Sequence, residues 1–222
     1  MLFRSASPKV YVIDDQTPYG TGLRDAANDY ITAQKVTKVG SDSVAQKTSD
    51  YSATVAKIKN SGANIVIYTG YYPDGGALAK ALNDASWKGL FIGGDGVLNS
   101  AYIDVAGKAA AEGTKFTAPA VPFEVVANAA QQAAFTKATG LKSAAGHVYV
   151  TETFNATNVF LSCIAKGATT RAKIQDCVTN GSFLTIDGKT TIKFTFAGEV
   201  VGGAPVGGFQ VVNGVIKYFG AV

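Results

Sequence analysis

Residues 63–96 read ANIVIYTGYYPDGGALAKALNDASWKGLFIGGDG, and this stretch sets the fold. Ile65–Thr69 is a run of β-branched and aromatic residues ending at Gly70, the pattern of a buried strand. The spacing then turns helical: Ala77, Leu78, Ala81, Leu82 and Ala85 share a stripe, and Asp74 stands where it could cap the helix start. Leu90–Ile92 is strand again and runs into Gly93-Gly94-Asp95-Gly96. Strand, helix and strand in so short a span make a crossover unit, with its two strands parallel.

The same unit repeats on both sides. Lys9–Asp14 (KVYVID) is a strand, and Tyr19–Ala33 carries Leu23, Ala26, Ala27, Tyr30 and Ile31 at helical spacing. Lys35–Gly40 is a second strand, followed by a helix with Ala53, Val55, Ala56 and Ile58 that Ser49 or Asp50 could cap. Beyond the glycine-rich loop come a short helix near Ala101–Ala106 and a fifth strand near Thr114–Ala118. The reading is an α/β fold with a doubly wound, five-stranded parallel sheet over residues 9–120.

The second half has another grammar. Glu124–Thr139, His147–Lys166 and Thr170–Thr179 read as helices, punctuated by Gly140, Gly167 and Gly181. Thr190–Phe196, Gly208–Val212 and Val215–Tyr218 read as strands, the last two joined by an Asn213-Gly214 hairpin turn. Val150, Phe154, Thr157, Leu161 and Ile164 form an apolar stripe that wants a sheet to cover it. Without one, it should stand exposed as a contiguous patch.

Composition narrows the classes. Of 222 residues, 47% are apolar and 16% charged, which excludes a disordered chain. The net charge of +4 is scattered rather than striped, so nucleic-acid binding is not expected. Apolar runs such as Ala63–Tyr68 are far too short to span a bilayer, so no membrane insertion is expected. The opening Met-Leu-Phe-Arg lacks a signal-peptide pattern, which places any export signal outside the chain. Cys163 and Cys177 are either two buried thiols or a disulfide. They lie on successive helices joined by a turn containing Gly167, and an antiparallel pair would bring them together. With one histidine, His147, well separated from both, they do not make a zinc site. No metal or other cofactor is expected.

Ligands of open parallel sheets bind beyond the carboxyl ends of the strands. Those ends carry Asp14, Asp15, Thr17, Pro18 and Tyr19, then Gly70, Tyr71 and Tyr72, then Gly94, Asp95 and Gly96. One carboxylate on a glycine loop beside tyrosines suits a compact ligand with an amine and an apolar part. Each residue has a plainer reading too. Asp95 could cap the following helix, Tyr19 could pack at a helix entry, and His147 could be a solvated residue at a helix start. The sequence lacks a nucleophile elbow, a P-loop, H-E-x-x-H and a dinucleotide glycine motif, so an enzyme is not expected. A receiver-type signalling domain would need an aspartate ending the third strand, where this chain has Tyr68-Thr69-Gly70.

Lys9–Leu23, Asp50–Gly76, Gly93–Val97, Tyr149–Phe160 and Ile192–Gly198 resemble, in order, segments of type I periplasmic solute-binding proteins of the leucine/isoleucine/valine-binding kind. The resemblance covers nearly the whole chain after about residue 8. It implies two α/β lobes joined by three crossovers and closing on an amino acid. Residues 8–120 would be lobe two, 121–189 helices belonging to lobe one, and 190–222 strands near the hinge. The first part of lobe one would be absent, and the isolated chain should then bind an amino acid weakly or not at all. Tyr19 is the implied aromatic wall, with Tyr71 or Tyr72 the second contact. Asp95 is the partner of the α-ammonium, where leucine binders commonly carry glutamate. Tyr149 and Glu152 would approach from the returning segment. The implied role is the substrate-binding component of an ABC importer, a monomer partnered by permease subunits. The implied location is periplasmic or extracellular, with a lipoprotein anchor one option. A sensor of the same fold, presenting its ligand to a receptor, is the alternative.

Overall fold

The structure is a computed structural model and describes residues 7–222. The described chain forms two compact units: one holds the residues up to Ala118 together with Gly207–Val222, the other Pro119–Val206.

The first unit is built on a seven-stranded sheet. Its strands are β1 (Lys9–Asp14), β2 (Thr37–Ser43), β3 (Ile65–Tyr68), β4 (Leu90–Gly93), β5 (Lys115–Ala118), β8 (Gly207–Val212) and β9 (Val215–Ala221), in the order β2-β1-β3-β4-β5-β8-β9. The five strands from residues 9–118 pair in parallel, as the repeated crossover pattern requires. β8 joins β5 antiparallel and pairs with β9 through the Asn213-Gly214 turn. The strand order reverses between β1 and β3: the chain leaves β1 for β2, then returns to the far side of β1. That reversal opens a crevice at the carboxyl ends of β1 and β3.

Alternation along the strands supplies both faces of the core. Val10 and Val12 of β1 pack with Ile65 and Ile92, and with Ile31 of α1 (Pro18–Ala33), on one face. On the other, rings run in a row: Tyr68 lies 6.2 Å from Phe91, Phe91 6.3 Å from Tyr102 of α4 (Ala101–Ala106), and Tyr102 5.3 Å from Phe116. Tyr68, Tyr102 and Phe116 are fully buried, and each such side chain is worth about 1.5–3 kcal/mol of burial. α2 (Ser52–Asn60), α3 (Tyr72–Asp84) and α5 (Lys108–Ala111) complete the layers.

Two caps differ from the sequence reading. Asp74 lies in the first turn of α3 rather than capping it, and Tyr71 is the N-cap residue. The buried Asp74 carboxylate instead accepts the Lys47 N–H at 2.7 Å and the Tyr51 hydroxyl at 3.3 Å, bracing the loop before α2. The N-cap of α2 is Tyr51, and Asp50 accepts the Ser52 N–H at 2.8 Å.

The second unit holds α6 (Phe123–Val126), α7 (Ala129–Thr139), α8 (Val150–Ala165), α9 (Arg171–Asn180), β6 (Phe183–Leu184) and β7 (Thr191–Ile192). The single helix expected over 124–139 is two, because Asn128 forms a capping box with Gln131 and restarts the helix there. Only Thr191–Ile192 of the expected strand 190–196 is extended in a ladder, pairing with β6, and Phe194 bridges Val200. The segment 190–222 therefore divides, its first part lying in this unit and its last in the seven-stranded sheet. Cys163 and Cys177 are disulfide-bonded with Cα atoms 5.9 Å apart, beside Val159, Ala168 and Phe183. Phe154, Leu161 and Ile164 stand 41%, 55% and 50% exposed along α8, while Val150 is half-buried.

Candidate functional site

The loop after β1 is fixed by its own carboxylates. Asp14 is fully buried and accepts from the Gln16 N–H at 2.9 Å, the Ser43 hydroxyl at 2.7 Å and Arg24 at 2.8 Å. Burial pushes its carboxyl up, but these donors outweigh burial and hold it below the usual carboxylate range. Asp15 accepts from the Thr17 hydroxyl at 2.6 Å and the Gln46 side-chain amide at 3.1 Å. Thr17 in turn caps α1, accepting the Gly20 N–H at 2.9 Å. Both aspartates are thus committed to holding the turn, which aims the first turn of α1 and with it Tyr19.

Tyr19 reaches across the switch point. Its hydroxyl donates to Asp95 Oδ1 at 2.7 Å and accepts the Gly96 N–H at 3.2 Å. Burial, followed by the bond to Asp95, pushes the phenol well above its ordinary range, so it stays a neutral donor. Tyr71, at the end of the β3 segment, lays its ring 5.1 Å from that of Tyr19 in a tilted pair and is 40% exposed. Tyr72 contributes its backbone: its N–H donates to the Gly96 carbonyl at 2.9 Å. Between the two adjacent tyrosines, then, it is Tyr71 whose ring joins Tyr19.

Two glycines let these loops approach. A Cβ on Gly96 would stand 2.8 Å from the Gly70 carbonyl oxygen, and one on Gly70 would stand 2.5 Å from the Tyr68 hydroxyl and 2.7 Å from Asp15 Cβ. The ends of β1, β3 and β4 therefore converge on one wall, a carboxylate flanked by two tyrosine faces, half-buried and reachable from solvent. A recess of about 390 Å³ lined by Leu82, Trp87, Leu90 and Thr114 sits at the opposite, amino-terminal edge of β4 and β5, away from this wall.

Tyr149 and Glu152 lie in the second unit, at the start of α8. Tyr149 adopts a left-handed conformation, φ 68°, as the N-cap residue. Glu152 Oε1 accepts the Val121 N–H at 3.1 Å, while the neighbouring Thr151 hydroxyl donates to the Val121 carbonyl at 2.7 Å. Burial raises the Glu152 carboxyl. Thr151 and Glu152 thus brace Val121 from the first turn of α8. Among the described residues no group of three or more His, Cys, Asp or Glu could hold a metal ion. No helix among them is long and apolar enough to cross a membrane.

A family model described as periplasmic binding protein matches residues 3–204. The chain is 42% identical over 109 residues to Leu/Ile/Val-binding protein homolog 3 of Brucella melitensis, an alignment covering 49% of this chain and 29% of that protein. It is 37% identical, again over 109 residues, to Leu/Ile/Val-binding protein BraC3 of Rhizobium johnstonii. Among solved structures, the leucine binding protein LivK of Thermotoga maritima superposes with a TM-score of 0.80 at 20% identity, covering 97% of this chain and 61% of that one. The substrate binding protein LivJ of Streptococcus pneumoniae, solved with isoleucine, gives 0.79 at 18% identity and 60% coverage of its chain. The chain thus spans about three fifths of these structures and under a third of the curated relatives within the aligned region. At such identities the solved structures establish a shared fold, and the family model establishes descent across nearly the whole sequence: the chain belongs to the periplasmic binding protein family.

Proposed function

We propose that the chain is the larger part of an extracytoplasmic substrate-binding component of an ABC importer, taking up a branched-chain or similar amino acid. The observation that carries this reading is the wall at the switch point. Asp95 supplies a negative charge for an ammonium group, Tyr19 holds that carboxylate, and the Tyr19–Tyr71 ring pair offers an apolar and π-rich face beside it. The names of the relatives, Leu/Ile/Val-binding protein and leucine binding protein, agree with such a ligand. In this reading residues 8–120 serve as lobe two and the helices of 121–189 contribute to lobe one. Tyr71, of the adjacent pair, supplies the ring beside Tyr19, and Tyr149 and Glu152 approach the ligand from the returning segment. Binding, rather than catalysis, is the work of the wall, and the monomer works outside the cytoplasm with the transporter's permease subunits as partners.

The test is calorimetric titration of leucine, isoleucine and valine, against this chain and against the chain preceded by the N-terminal portion of a relative such as LivK. Binding by the longer protein, weak or no binding by the shorter, and loss on Asp95→Asn are expected. Undiminished binding by the Asp95→Asn variant would remove the carboxylate from the site, and heat with none of the three ligands would remove the branched-chain class.

A further inference from the structure

The chain contains two Asn-Gly dipeptides, Asn180-Gly181 and Asn213-Gly214. Asn-Gly is the sequence at which asparagine most readily deamidates, because glycine leaves the following backbone nitrogen unshielded. The nitrogen attacks the asparagine Cγ and gives up its proton. The side-chain NH₂ gains a proton and leaves as ammonia, and a succinimide closes. Water then opens either carbonyl of that ring, giving aspartate or isoaspartate.

At Asn213-Gly214 that nitrogen is not free. Asn213 and Gly214 have φ of 55° and 70°, the two left-handed residues of a type I′ loop between the paired Val212 and Val215. Glu112 clamps both backbone amides of the loop. Its Oε1 accepts the Asn213 N–H at 3.0 Å, and its Oε2 accepts the Gly214 N–H at 3.1 Å. The clamp comes from a residue about a hundred positions earlier in the chain, just before β5, where the Gly113 N–H also donates to the Val211 carbonyl at 3.0 Å. Glu112 is itself exposed, so its carboxylate is not spent on any core.

We infer that Asn213 is a latent deamidation site and that Glu112 restrains the reaction. The restraint has two physical sources. The attacking nitrogen must lose the proton that Glu112 Oε2 holds, and a carboxylate beside a forming nitrogen anion opposes that loss by like charge. The bond also fixes the 213–214 peptide plane, so the nitrogen cannot turn toward the Asn213 Cγ. Failure of the guard has a structural cost. Isoaspartate adds a methylene to the backbone inside a two-residue loop, and the register of β9 on β8 depends on that loop. Asn180 is an internal control of different design, since there the side-chain amide, at the end of α9, donates to Asp176 Oδ1 at 2.9 Å and to its carbonyl at 3.2 Å.

The experiment incubates the full chain and its Glu112→Gln and Glu112→Ala variants under mildly alkaline conditions. Deamidation at each Asn-Gly is read by peptide mass spectrometry, and hydrogen exchange reports the hairpin. Losing one charge-assisted hydrogen bond should speed Asn213 deamidation by about tenfold or more, with Asn180 unchanged. Equal rates at Asn213 in the parent and the variants would overturn the inference. A slower rate would do the same, showing the carboxylate acting as a base. Acceleration seen only when the hairpin's exchange protection is also lost would overturn it too, since folding of the hairpin would then be the guard.

Discussion

The Tyr19 hydroxyl lies 2.7 Å from Asp95 Oδ1, so a phenol from the first turn of α1 positions a carboxylate carried on the loop after β4. The two residues are 76 positions apart, and the sheet order brings them together.

Removing that hydroxyl separates positioning from charge. Tyr19→Phe in the ligand-competent protein should weaken amino-acid binding about tenfold, the worth of one hydrogen bond to a charged group. Asp95→Asn should weaken it further, because the charge itself goes. Calorimetry on both variants gives the comparison, and equal affinity of Tyr19→Phe and parent would show that Asp95 needs no support.

The parallel sheet and the switch-point residues were legible because buried strands and amphipathic helices alternate so plainly from Lys9 to Ala118. The choice between Tyr71 and Tyr72 was not, since adjacent residues at a strand end differ only in how the chain turns into α3. Asp74 misled for a related reason: a carboxylate in a first helical turn has the same local spacing whether it caps the helix or braces a distant loop. The Glu112 clamp left no local signal, because its partners are about a hundred residues away. The short ladder at Thr191–Ile192 follows from what pairing Phe183–Leu184 can offer, which strand propensity cannot report.

Gly70 is closed to any side chain. Gly70→Ala would drive a methyl into the Tyr68 hydroxyl and Asp15, and it should destabilise the first unit by about 1–3 kcal/mol. Urea denaturation followed by tyrosine fluorescence reads the loss, and an unchanged midpoint would mean that the Tyr68 ring shifts at little cost.

Acid should weaken the first unit. The folded Asp14 carboxyl titrates below its unfolded value, so its stabilisation is present above the ordinary carboxylate range near pH ~4 and is lost as pH falls through the lowered value. Asp187, held low by the Thr185 and Thr190 hydroxyls, acts alike in the second unit. Glu152 has the opposite sign: with its value raised, its contribution is full below the unfolded value and fades as pH rises through the folded one. Denaturation midpoints measured across the acid range should fall steeply for the parent and more shallowly for Asp14→Asn.

The disulfide closes a loop with a sequence separation of 14. Replacing Cys163 and Cys177 by alanine should cost the second unit about 3 kcal/mol, seen as faster hydrogen exchange in α8 and α9 with the seven-stranded sheet unaffected.

The exposed side of α8 should bind a hydrophobic dye. Leu161→Gln, at a position already 55% exposed, should lower that signal and raise solubility without lowering the melting temperature.

β5 receives its second neighbour only from residues 207–212, after the whole of the second unit has intervened. During synthesis the β5 edge therefore stays bare until residues 207–212 emerge, and that edge includes Phe116, which is fully buried in the folded unit. Such long-range closure is slow compared with local helix formation. The first unit thus cannot close until the whole of the second unit has been made. Until then it stays an open, unlocked sheet, its far half waiting on a strand that lies beyond another folding unit.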